Sequence, residues 1–309
     1  MRHRITRREF IKASLGTAAS LSLPPLGLPE LLAQTVEPER VVPDLAVVTE
    51  GEPASLTRKA VELIGGMRRF VSKGDLVVVK PNIGWDRSPE QAANTNPEVV
   101  AEVVKMCLEA GAKKVRVFDR SCNAASRCYR NSGIEKAASE AGADVSQMVS
   151  AGFSDVKLPE AEVLKEWPLY KPALEADVLI NVPIAKNHGL TYLTMGIKNL
   201  MGIMGGDRGK VHWNIDEKLA DLANFVRPQL TILDAYRTLI KNGPQGGSLK
   251  DVKLMKTMVA GTQVATVDAY GATLFGIKPA GLPHIVKSGK FGLGEIDLDK
   301  VNIEKVSLG

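Results

Sequence analysis

The chain is expected to adopt an α/β fold: a mostly parallel sheet flanked by helices, as one body or two lobes, after an N-terminal signal segment. Three observations predict this. Leu76-Val77-Val78-Val79 is a continuous apolar, β-branched run, the mark of a strand buried on both faces. Such runs alternate with stretches of helical spacing, the order that gives right-handed crossovers between parallel strands. The helical stretches also carry boundary signals, as in Asn96-Pro97 at one end and Gly111 at the other.

In chain order, residues 1–33 read as a twin-arginine (Tat) export signal. Arg7 and Arg8 are followed by Phe10, Ile11 and Lys12, then by a weakly apolar stretch over residues 13–28. A charged region before an apolar one is the layout of a secretory signal. The arginine pair makes it an address for the Tat export machinery, not an anchor. Ser, Thr, Gly, Pro24 and Pro25 interrupt the run, and a membrane helix needs about 20 apolar residues, so no permanent transmembrane span is expected. Ala33-Gln34 is the candidate cleavage point, although Leu31 stands where a small residue is usual. The expected location is the periplasm or cell envelope. Residues 34–43 read as a linker and 44–309 as the α/β domain.

Within that domain, residues 45–49 read as a strand. Residues 55–70 have helical spacing through Leu56, Ala60, Leu63, Ile64 and Met67. A strand over 76–79 precedes a helix over 97–110, with Asn96 as its cap. Residues 115–118 form the next strand, 134–141 a helix closed by Gly142, and 144–149 a short strand. The polar stretch 154–172 reads as a connection. Then come a strand at 177–182, helices at 190–204 and 215–226, and a strand at 230–233. Residues 242–248 form a loop by their Gly and Pro content. Residues 258–260 end a strand, 264–275 form an amphipathic helix, and 301–306 give the last strand. The chain has no internal repeat and no low-complexity tract.

Residues 1–33 carry five basic and two acidic side chains, so +3 of the chain's formal +5 belongs to the signal and the body is near neutral. With aromatics at only 5%, that argues against a nucleic-acid partner. Three cysteines remain. Cys107 lies in a helical pattern as a small buried hydrophobe. Cys122 and Cys128 flank a polar loop near Arg120, Arg127 and Arg130, where a disulfide, structural thiols and a reactive thiolate are all open. Their spacing matches no iron–sulfur motif.

Ligands of open parallel sheets bind beyond the carboxyl ends of the strands. Those ends deliver Lys80 and Asn82, Asp119, Lys186 and His188, and Asp234. One polar residue at a strand end is ordinary; the density of ionisable groups here points to a site for an anionic ligand. Lys198 and Asn199 lie within an apolar helical stretch, where a lysine needs a partner or a cavity. The candidate catalytic residues are His188, Asp119 and Lys80. His188 is expected before a helix N-terminus, with a pKa near neutral. Asn82, Lys186, Lys198, Asn199 and Asp234 are the candidate substrate-binding residues. Gly205, Gly206 and Gly209 form a loop that a ligand can approach, but one that is neither a P-loop nor a Rossmann fingerprint. His212 and Asp207 are metal candidates, without a tight His/Cys cluster around them.

Several segments resemble the prokaryotic family known as domain of unknown function 362. They are Val77 to Asn82 with Asn96-Pro97-Glu98, Asn181-Val182-Pro183 through Lys186-Asn187-His188-Gly189-Leu190-Thr191, and Gly196-Ile197-Lys198-Asn199-Leu200-Met201-Gly202. Asn242-Gly243-Pro244 and Val267-Asp268-Ala269 continue it, in order over most of residues 44–280. The resemblance implies an α/β domain, sometimes exported and sometimes fused to ferredoxin-type cysteine clusters, which hints at redox chemistry. This chain lacks such a cluster, and the resemblance brings no catalytic assignment.

Two functions follow. One is an exported enzyme acting on a small anionic substrate by redox or proton-transfer chemistry, with a metal ion as a candidate cofactor. The alternative is a non-catalytic periplasmic binding protein, or an assembly factor for a partner redox protein.

Overall fold

Side chains alternate across a strand, and here both sides are apolar, so the sheet must be covered twice. The computed structural model describes residues 41–309; the signal segment and residues 34–40 of the linker lie outside the described residues. Val42 to Gly309 form one unit rather than two lobes.

The elements run β1 (Leu45–Thr49), α1 (Pro53–Leu63), β2 (Leu76–Pro81), α2 (Pro97–Glu109), β3 (Lys114–Val117), α3 (Ala125–Asn131), α4 (Ile134–Glu140) and β4 (Asp144–Val145). A hairpin of β5 (Phe153–Lys157) and β6 (Glu166–Tyr170) follows, then the short α5 (Lys171–Leu174). The second half holds β7 (Val178–Val182), β8 (Ile184–His188), β9 (Tyr192–Thr194), α6 (Gly196–Asn199), α7 (Ile215–Val226), β10 (Leu230–Leu239), β11 (Val252–Gly261), α8 (Val264–Thr273), α9 (Pro283–Lys290) and β12 (Ile303–Ser307).

The main sheet has the order β12-β1-β11-β10-β7-β2-β3-β4, with β8 paired to β10 and β9 paired to β8. It is mixed but mostly parallel: β11 is antiparallel to β1 and β10, and β9 to β8, while β2, β3, β4, β7 and β10 run parallel. Val77 and Val79 pack with α1 and α2 on one face; Val78 packs with the α7 and α8 side on the other.

Local signals explain the helix ends. Asn96 accepts the Glu98 N–H at 3.0 Å with Pro97 in the first turn, and Gly111 follows α2 at φ 103°. The expected helix over 55–70 stops at Leu63, because Gly65 and Gly66 take positive φ and only a 3-10 turn, Met67–Arg69, follows.

Other expectations need correction. The connection at 154–172 contains the β5–β6 hairpin, and the strand at 144–149 shrinks to two residues. The helix expected at 190–204 is β9, one turn of α6, and a 3-10 turn over Leu200–Ile203. From Leu193 to Met204 its apolar residues are all buried, so their spacing carried no facial information. The strand at 230–233 runs on to Leu239. At Asp234 it exchanges β7 for β8, whose existence Pro183 concealed. The helix at 264–275 is buried nearly all round rather than amphipathic.

Candidate functional site

Beyond the carboxyl ends of β2, β3 and β7 lies a cavity of about 420 Å³, a size suited to a small ligand. Its floor is a hydrogen-bonded set of side chains. Lys80, fully buried at the end of β2, donates to Asp119 Oδ1 at 2.7 Å, to the Pro81 carbonyl at 2.7 Å and to Asn199 Oδ1 at 3.2 Å. Three acceptors for three ammonium protons, one of them a carboxylate, are what a buried lysine requires. Burial lowers the Lys80 pKa against the opposing pull of Asp119. The other Asp119 oxygen accepts the Ile83 N–H at 2.7 Å, and the Tyr129 hydroxyl brackets the Asp119 backbone.

Asn199 joins the ends of β2 and β7. Its amide donates to the Lys80 carbonyl and to Asn181 Oδ1, and its oxygen accepts from Asn82 at 3.1 Å. Asn82 Oδ1 accepts from Lys186, which also donates to the Ala93 carbonyl at 2.5 Å. Gly202 closes the floor from beside it. A Cβ there would stand 1.7 Å from Asp119 Oδ1 and 2.4 Å from Lys80 Nζ, so no other residue fits. Its carbonyl accepts the Arg120 N–H.

The turn carrying Lys198 and Asn199 is too short to hold itself. Asp268 of α8 accepts the Gly196 N–H at 2.6 Å and the Ile197 N–H at 2.8 Å, and Asn181 donates to the Gly196 carbonyl. On the opposite wall, Gly243 packs on Asn187, its N–H donating to Asn187 Oδ1.

Asn82, Asp119, Lys186, His188, Lys198, Asn199 and His212 line the cavity, and Lys80 lies directly behind Asp119. Two nominated residues do not take part. Asp234 is fully buried elsewhere, accepting the Asn96 and Tyr236 N–H groups at the β7-to-β8 exchange. Asp207 is exposed and caps the Arg208–His212 turn through Gly209 N. Among the described residues no group of three or more His, Cys, Asp or Glu side chains is placed to hold a metal. His212 and Asp207 therefore do not form part of such a set.

His188 differs from its expected role. It ends β8 and precedes a hairpin turn rather than a helix. Its Nδ1 accepts the Leu190 and Thr191 N–H groups at 3.0 and 3.3 Å, which leaves the proton of the neutral ring on Nε2. Burial, with Lys198 and Lys186 nearby, pushes its pKa down to about 3. His188 is thus a fixed neutral donor, not a group that titrates near neutral pH. That property belongs to the lysines: burial brings Lys186 to about 7 and Lys198 to about 8.

Composition alone did not single out Arg120, Arg208 and Cys122 as lining residues. The Arg208 guanidinium donates to the Arg120 and Ser121 carbonyls and approaches Cys122 Sγ at 3.8 Å. Cys122 and Cys128 are both free thiols, Cys128 buried against the Gly84 carbonyl, so no disulfide joins them.

The sequence profile described as "Domain of unknown function (DUF362)" matches residues 77–273. The thylakoid-associated protein sll1697 of Synechocystis sp. is 29% identical over 245 residues, 76% of this chain and 74% of that protein. The lactate racemase apoprotein of Thermoanaerobacterium thermosaccharolyticum aligns with a TM-score of 0.46 at 12% identity, over 74% of this chain and 56% of its own. A Thermotoga maritima protein aligns with a TM-score of 0.39 at 10% identity, over 74% of this chain and 60% of its own. This chain thus spans less than two thirds of either solved structure.

Proposed function

This chain belongs to the DUF362 family, and because that family's description names no reaction, we propose from the cavity that it is an enzyme moving a proton on a small organic anion. One observation carries the reading. Arg120 and Arg208 line the cavity beside Lys186 and Lys198, which add charge when protonated, and the sole carboxylate among the lining residues, Asp119, is already neutralised by Lys80. The excess positive charge in a partly enclosed space favours an anionic guest.

The acid–base groups are the two lysines. A group with a pKa near the working pH holds both protonation states in useful amounts, and Lys186 and Lys198 meet that condition. His188 Nε2–H and the Asn82 amide serve to orient the guest's oxygens. The lysines favour proton transfer over the redox alternative.

The test is proton NMR of the purified chain in deuterated buffer with a panel of small carboxylates and phosphate esters. The expected result is saturable binding by one class of anion, with solvent deuterium entering its C–H position. Binding without exchange would favour the non-catalytic alternative. Failure of every anion to bind at millimolar concentration would remove the reading altogether.

We also infer Tat-dependent export from Arg7-Arg8 and the apolar stretch after them. Among the described residues no helix is long and apolar enough to cross a membrane.

A further inference from the structure

We propose that Lys198 forms an imine with the carbonyl carbon of a small oxo acid, so that this cavity works by covalent amine catalysis. The inference rests on the anion-binding, proton-transfer reading above and names its substrate class.

The two lysines at the cavity differ in what holds them. Lys186 Nζ donates to Asn82 Oδ1 and the Ala93 carbonyl. A neutral amine has two N–H bonds, and these two acceptors use both, leaving the lone pair free to take a proton. Lys198 Nζ meets only the Met201 thioether, at 3.0 Å, and no oxygen acceptor among the described residues. An ammonium there would leave protons without a strong acceptor, whereas a neutral amine loses little. Burial, opposed by Cys122, acts in the same direction and the Arg208 charge adds to it, and a desolvated lysine beside other cations is an activated nucleophile.

Two further observations point to a guest. The Thr194 hydroxyl is buried, lines the cavity and has no hydrogen-bond partner. Thr194 lies directly opposite Lys186 in the β8–β9 register, which puts the two Cβ atoms about 5 Å apart. Arg208 spends two of its N–H bonds on backbone carbonyls, which leaves others for a carboxylate.

The Lys198 lone pair attacks the carbonyl carbon, and the C=O π pair moves to oxygen, which takes a proton. The carbinolamine nitrogen loses a proton, and the hydroxyl leaves as water after taking a proton. Neutral amine, carbonyl compound and one proton give iminium and water. Lys186 Nζ then accepts the proton next to the iminium carbon, and the C–H electron pair flows to the iminium nitrogen as an enamine. Return of the proton reverses that flow, and water releases the product.

The test is reductive trapping of the full chain with pyruvate or glyoxylate and cyanoborohydride, mapped by peptide mass spectrometry. No variant is needed. The expected result is a stable adduct on Lys198, forming on the order of a hundredfold faster near neutral pH than on exposed lysines because more of its amine is neutral, and suppressed by malonate, which has no ketone. Adducts confined to surface lysines or Cys122, with malonate still binding by calorimetry, would overturn the imine and leave the anion-binding reading standing. Absence of binding by malonate, pyruvate and glyoxylate alike would overturn both.

Discussion

Gly202 is the residue on which the floor depends. Substitution to alanine drives a methyl group into the Lys80–Asp119 pair, and the expected cost is about 3 kcal/mol, the upper end of the overpacking range, measured by urea unfolding. The pair itself is asymmetric. Asp119→Asn leaves a buried ammonium without its counter-charge and is expected to cost about 3–5 kcal/mol, whereas adding Lys80→Met removes the stranded charge and restores part of the loss. Additive losses in that double-mutant cycle would show that the pair is not coupled. At this scale the sequence was informative about identity and weak about role. The valines before Lys80 marked its strand as buried, and the strand-end rule gathered Lys80 with Asp119, Lys186 and His188. It did not reveal that the turn after His188 folds its N–H groups onto Nδ1. Nor did it expose Asp234 as a backbone staple, since a carboxylate that bonds two amides looks the same in sequence as one that faces a ligand.

Among the elements, α6 has the least support of its own. Asp268 on α8, far along the chain, supplies the two acceptors its first turn needs. Asp268→Asn replaces one acceptor oxygen with a donor, and the expected result is a loss of about 1–3 kcal/mol together with weaker binding of small anions. Unchanged anion affinity would mean that Lys198 and Asn199 stay in place without this staple. Elements with clear boundary signals or helical apolar spacing were legible: α2 between Asn96 and Gly111, and α7 over its full length. Those whose form is imposed by neighbours were not. β8 exists because β10 continues past Asp234 and offers it an edge, and α6 exists because Asp268 lies beneath it.

For the whole molecule, the buried ionisable groups set the pH response. Lys186 and Lys198 have folded pKa values of about 7 and 8 against an ordinary 10.5. Across that interval the unfolded chain binds protons that the folded chain does not, so stability should rise as pH climbs from about 7 towards 10.5. Lys186→Met should flatten part of the rise in thermal unfolding; an unchanged slope would refute the assignment. In acid the contributions oppose. Asp234 and Asp268, both raised to about 6 from 3.8, add stability below pH 3.8 that is lost as pH rises through 6. His188, lowered from 6.5 to about 3, gains stability over the range from 3 to 6.5. Outside the described residues, changing Arg7 and Arg8 together to lysine should retain the chain in the cytoplasm of a Tat-competent host, checked by fractionation. The α/β class and the mostly parallel sheet were legible because two-sided burial writes itself into continuous apolar runs. The sheet's antiparallel members were not, since strand direction leaves no such mark.

The interlocked floor has a consequence for redesign. Each of Lys80, Asp119, Asn82 and Asn199 holds another in place, so no one of them can be exchanged without disturbing its companions. Trp85, Leu190 and Pro244 border the same hollow with side chains outside that mesh. Libraries meant to admit a bulkier or differently shaped guest should vary those three rim positions and leave the base untouched.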